Sequence, residues 1–202
     1  ILKMKFVKNF TIYLIFFFFL GLKLNALASS SSEFISSLSD EVSNILASKI
    51  SEEEKISQLK KIGEKAVDIN GVGLYTLGKY RKTLDENQKK EYENLFKNYF
   101  LKSFSGRLVQ YDNAKIAILT EEIKNEKYTI VSSKLIGTSD RPEVKIDWRI
   151  YTKDPENPLI RDLIIEGLSL ARTQKEEFSS IIENNDGKIE ALFENLREFI
   201  AK

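Results

Sequence analysis

The sequence predicts an α+β fold: helices toward the N-terminal end, a four-stranded antiparallel meander sheet in the middle and two C-terminal helices. Three observations carry that reading. Apolar residues recur at helical spacing before about residue 112 and again after about 172. Between them lie four segments of strand character, separated by three breaks short enough for hairpins. No strand alternates with a helix, so a parallel sheet built from βαβ units has no support. At 202 residues, 42% hydrophobic and 30% charged, the chain has the size and composition for one substantial core rather than two.

The first 28 residues read as an address rather than as fold. Lys3, Lys5 and Lys8 precede or flank the apolar run from Phe10 to Leu22, and Ala26-Leu27-Ala28 follows before four serines. That is the layout of a secretory signal peptide, with the expected cut between Ala28 and Ser29. A membrane-spanning helix needs about 20 apolar residues, more than this run supplies. Fold reasoning therefore starts at Ser29, with a single domain expected over 29–202.

Phe34, Leu38, Val42, Ile45 and Leu46 define an amphipathic helix to about Lys49. Ser51 with Glu54 is a capping-box pair that opens a second helix, whose stripe is Ile56, Leu59 and Ile62. From Val67 to Tyr80, three glycines among apolar residues suggest a helix break and a short buried segment. Asp85 with Gln88 starts the strongest helix, its face unusually aromatic: Tyr92, Leu95, Phe96, Tyr99, Phe100 and then Phe104, Leu108 and Tyr111. Strands follow at about Ala114 to Lys124, Tyr128 to Ile136, Val144 to Tyr151 and Leu159 to Glu166. Two helices close the chain, about Thr173 to Glu183 and Lys188 to Ala201.

Composition removes much chemistry. With no Cys and no His, thiol nucleophiles, Ser-His-Asp triads and His- or thiolate-bearing zinc sites are excluded within the chain. Four of the 31 Lys and Arg lie in the first 28 residues, leaving about 27 against 30 Asp and Glu. A mildly acidic body argues against a nucleic-acid partner. Gly73 to Lys79 matches most of a phosphate-binding P-loop, but Tyr80 stands where that loop needs a Mg²⁺-binding hydroxyl. Close packing or a turn is the simpler account of those glycines. In VKIDWRIY, alternation places Asp147 and Arg149 together on one face, where a cross-strand ion pair is a simpler reading than catalysis. The other face carries Val144, Ile146, Trp148 and Ile150, which is either ordinary core or one wall of a ligand cavity.

Several ordered motifs resemble one family. LGKYRKTLDENQKKEYENLFKNYFLKSFSGRLVQY, then VKIDWRIY, then IRDLIIEGLSLARTQKEEFSSIIENNDGKIEALFENL are similar to the MlaC, or toluene-tolerance, family of periplasmic phospholipid-binding proteins, in order from about Leu77 to Leu196. The most specific elements are Leu77-Gly78-x-Tyr80, the helix from Gln88 to Leu108 and Tyr111, Asp147-Trp148, and Glu166-Gly167-Leu168-Ser169-Leu170 followed by Phe178. Arg81 stands where family members often have Trp, and the N-terminal helices match only in pattern.

The resemblance implies a fold enclosing an apolar lipid cavity and a carrier rather than an enzyme. Its cargo would be phospholipid, without cofactor or metal, and its partners an inner-membrane ABC transporter complex and an outer-membrane lipoprotein complex. Lining residues expected on that basis are Ile146, Trp148 and Ile150 from the sheet and Tyr80, Phe96, Tyr99 and Phe100 from helices, with Ile165, Leu168 and Leu170 in a second tier. Two other classes remain open: an α+β enzyme using Asp147, Tyr or Lys as acid and base, and a chaperone-like protein with a filled interior and an exposed apolar groove.

Overall fold

The computed structural model describes residues 30–111, 115–138 and 141–202; the expected leader and its cut at Ala28 lie outside them. Helix α1 spans Ser31–Ala47 and begins at a capping box in which Ser30 and Glu33 satisfy each other's backbone amides. Helix α2 is Glu52–Ala66, with the Ser51 hydroxyl accepting from the Glu54 amide at 3.2 Å as the sequence suggests. The expected helix break falls at Val67, where α2 ends in an extended residue, and the short segment after it is itself helical. Asp68 caps helix α3, Ile69–Thr76, which holds Gly71 and Gly73 within it and passes into a 3₁₀ turn at Gly78–Lys82.

Both bland accounts of those glycines hold. A Cβ on Gly73 would stand 2.8 Å from the Phe96 ring, and Gly78 has φ +56°, the left-handed region. Helix α4, Glu86–Leu108, starts at the Asp85–Gln88 capping box. The sheet follows as β1 Ile116–Asn125, β2 Tyr128–Leu135, β3 Val144–Tyr151 and β4 Leu159–Ile165, then a short β5, Leu168–Ser169. Its order, β1-β2-β3-β4-β5, is the antiparallel meander the short breaks predict. The fifth strand escapes periodicity because it is two residues long, turned back on β4 by Glu166 and Gly167, both at positive φ. Helices α5, Leu170–Glu183, and α6, Ile189–Ala201, complete the chain.

Two apolar layers result. Thirteen buried residues from α3 to α6, among them Tyr92, Phe96, Phe178, Leu192 and Leu196, form a helical core. Phe96 is its hub: its ring centroid lies 5.7 Å from Tyr92 and 6.3 Å from each of Tyr99, Phe100 and Phe178, the last edge-on. The second layer joins α1 to the sheet around five buried residues, Ile35, Ala66, Val131, Ile150 and Ile160. Val67, at the α2–α3 junction, packs against both.

Tyr92 shows how a polar group is held in the helical core. Its hydroxyl sits 2.8 Å from that of Thr76 and 3.2 Å from the Gly73 carbonyl, to which it donates. Burial, with the Thr76 hydrogen bond opposing it, pushes the phenol's pKa well above its usual 10.0. A raised folded-state pKa means that the unfolded chain loses this proton first, so stability present below pH 10 falls as pH rises beyond it. Tyr92→Phe should cost about 1 kcal/mol at neutral pH and flatten that alkaline decline. Urea unfolding at pH 7 and pH 11 reads both effects; an unchanged alkaline slope would assign the decline to other groups.

Candidate functional site

Alternation along β2, β3 and β4 builds one apolar face. Pairing places Ile118, Ser133, Ile146 and Ile165 in one cross-strand row, Val131, Trp148 and Leu163 in the next, and Thr129, Ile150 and Ile160 in a third. Two polar side chains on this face, Ser133 and Trp148, are satisfied by local partners. The Ser133 hydroxyl accepts from the Trp148 indole N–H at 2.8 Å and donates to the Ile146 carbonyl at 3.1 Å, so it presents no unmet demand to a neighbour. That hydrogen bond ties the indole of β3 to its neighbour on β2.

Helix α1 covers part of this face through Phe34, Ile35 and Leu38. Among the described residues five are buried at its centre, while seven more pack around them half-covered: Phe34, Leu38, Val67, Ile116, Ile118, Trp148 and Leu163. Ile146 and Ile165 are also only half-buried. At the β5 edge the surface ends in Leu168, 69% exposed and paired with Ile165. By contrast, the helical core has thirteen buried members to seven partly covered. The sheet layer is thus an apolar surface that the chain's own residues cover only in part.

Of the residues expected from the sequence, Ile146, Trp148, Ile150, Ile165 and Leu168 lie together on this face. Tyr80, Phe96, Tyr99 and Phe100 belong instead to the helical core, and Leu170 opens α5, 45% exposed. The structure does not bring the helical set to the sheet set. Tyr99, whose hydroxyl donates to Gln174 Oε1 at 2.7 Å, is held within its own layer, and burial, with the Glu177 charge adding to it, raises its pKa. Sequence reasoning missed the contributions of α1 and of Leu163, Ile116 and Ile118. Their periodicity is plain, but which layer each joins depends on pairing register.

The opposite face of the sheet is mixed, with Tyr128, Ile130, Tyr151 and Ile164 beside its charged residues. Tyr128, Ile130, Arg149 and Asp162 point that way and, with Leu74 and Tyr75 of α3, Arg81 and Lys124, wall a groove of about 680 Å³. A β-bulge at Arg161 lets that strand serve both faces. Arg161 donates from Nε to Asp68 Oδ2 at 2.6 Å and from Nη1 to the Tyr128 hydroxyl at 2.7 Å, with its guanidinium 3.8 Å from the Tyr151 ring centroid. Burial disfavours its charge, yet the hydrogen bonds with Tyr128 and Asp68 outweigh that and raise its pKa. Among the described residues the expected pairing of Asp147 with a neighbouring strand is not seen. Asp147 Oδ2 lies 3.5 Å from Lys145 of its own strand, because i and i+2 share a face, while the Asp162 carboxylate opposite Arg149 is engaged by Ser169 and the Ala171 amide.

This architecture, a meander sheet with one face half-covered by a helix and a helical bundle beside it, has a counterpart among solved structures. The phospholipid-binding protein from Ralstonia solanacearum, solved in complex with a phospholipid, superposes with a TM-score of 0.71 over 86% of this chain and 98% of that one, at 18% identity. That likeness shows the shared fold. A family model described as MlaC protein matches residues 36–198. The chain belongs to the MlaC family. No curated protein sequence matches it.

Proposed function

We propose that the protein is a periplasmic phospholipid carrier that holds acyl chains against the apolar face of its sheet and catalyses no reaction. The observation that carries this reading is the unfinished apolar layer between α1 and the sheet, in a chain of the MlaC family whose fold is shared with a protein solved with phospholipid bound. Ile146, Trp148, Ile165 and Leu163 supply surface along the chains; Ile150 forms the floor; Leu168 stands where a tail would pass the sheet edge. The aromatic set Tyr80, Phe96, Tyr99 and Phe100 backs the neighbouring layer, with Leu170 at the junction.

Covering an acyl chain is worth about 0.8 kcal/mol per methylene relative to water. Two long chains would then bind near the ceiling for any non-covalent complex, and release into water would be negligible. A bilayer offers nearly the same apolar surroundings, so exchange with a membrane is close to balanced. Small differential contacts with donor and acceptor decide the direction. In this reading those are an inner-membrane ABC transporter complex and an outer-membrane lipoprotein complex, and any ATP is consumed by the former.

Extraction and mass spectrometry of protein purified without detergent is the test. Phospholipid in roughly equimolar amount is expected. Protein that emerges empty and takes no lipid from vesicles would overturn the carrier reading.

A further inference from the structure

We propose that the groove between α3 and the sheet face carrying Arg149 is a second site, one that binds the phosphate of a phosphate ester. Its volume of about 680 Å³ falls within the range of small-molecule sites, about 300–1,000 Å³. Among the described residues four cationic side chains line it, Arg81, Lys124, Arg149 and Arg161, against one carboxylate, that of Asp162. Two of those cations are answered from within the fold: Arg161 by Asp68, and Lys124 by Glu122 at 2.5 Å. Asp162 has both oxygens engaged, accepting from the Ser169 hydroxyl at 2.6 Å and from the Ala171 amide at 3.0 Å.

Arg81 and Arg149 are left. Neither makes a side-chain hydrogen bond or ion pair among the described residues, and both face the same concavity. Concave walls concentrate the potential of like charges and draw an anion in. Guanidinium forks match oxyanions in paired, charge-assisted hydrogen bonds, and a phosphate has oxygens enough to accept from two forks at once. Beside them, Leu74 and Tyr75, 40% and 42% exposed, offer apolar surface to the organic part of the ligand.

The site is separate from the acyl layer. Arg149 alternates with Trp148 and Ile150, and Ile130 with Val131, so the groove and the apolar face lie on opposite sides of one sheet. Two sources present this chemistry, a soluble phosphate ester and the head group of an anionic lipid standing in a membrane surface.

Titration of the whole chain with glycerol 3-phosphate, read by calorimetry, and flotation with vesicles of phosphatidylglycerol or phosphatidylcholine distinguish them. Saturable binding of the ester assigns a soluble ligand; flotation with phosphatidylglycerol vesicles alone assigns the head group. In either case R81Q/R149Q should weaken binding about tenfold or more, R81K/R149K should recover part of it, and added salt should weaken the wild type. Failure of the wild type to bind either probe, or equal binding by R81Q/R149Q, would overturn the proposal. Neither result bears on the lipid content of the purified protein, which tests the carrier reading by itself.

Discussion

Phe96→Ala is expected to remove about 3–5 kcal/mol of stability, a large share of the roughly 5–15 kcal/mol typical of a whole domain. The side chain is 3% exposed and meets four aromatic rings, those of Tyr92, Tyr99, Phe100 and Phe178. Ring pairs of this kind add about 0.5–1.5 kcal/mol each beyond burial alone. Collapse into the space is restricted on one side by α3, whose Gly73 lies so close that a Cβ there would meet the ring at 2.8 Å. Phe96→Leu keeps much of the volume and should cost about half as much, and Ile123→Ser, at a position 75% exposed, should change stability by less than about 0.5 kcal/mol. Urea midpoints at constant slope measure all three. A loss below about 1 kcal/mol for Phe96→Ala would show a slack helical core, and would move the hydrocarbon site toward Tyr80, Tyr99 and Phe100.

The legible parts of the fold are those set by local rules. The Ser51 and Asp85 caps, the β3 span from Val144 to Tyr151 and the three short strand connections follow from side-chain chemistry and period, and each appears where the sequence places it. Helix α3 was not legible, because Gly71 and Gly73 lower helix propensity and the compensation is tertiary: Gly73 lets α3 approach Phe96. The site divides in the same way. Ile146, Trp148 and Ile150 share a face by alternation alone, and pairing then adds Ile165 and Leu168. The aromatic stripe of α4 was equally plain, yet periodicity gives a face and not its partner. Its partners are α3, α5 and α6 rather than the sheet. The groove cations are scattered over residues 81–161, and the bulge that turns Arg161 toward Asp68 leaves no mark in the sequence.

If hydrocarbon lies on the sheet, a charge placed there should expel it: Ile146→Glu is expected to lower recovered phospholipid more than about tenfold. Half-buried in the protein, a carboxylate at this position keeps contact with water and leaves the fold standing. An acyl chain laid over it would strip that water, and dehydrating one carboxylate costs several kcal/mol even after relaxation; each 1.4 kcal/mol is about a factor of ten in binding. The Ser133 hydroxyl beside it gives no relief, since Trp148 and the Ile146 carbonyl already occupy it. Protonation offers an escape, so lipid should return as the pH falls below the carboxylate's raised pKa in the loaded state, a recovery that a merely misfolded variant would not show. Leu163→Glu, one row over and paired with Trp148 on the neighbouring strand, gives an independent reading of the same face. Wild-type lipid content in both variants, with thermal unfolding confirming that each is folded, would mean that the tails lie elsewhere and that the half-covered layer beneath α1 is only a thin core.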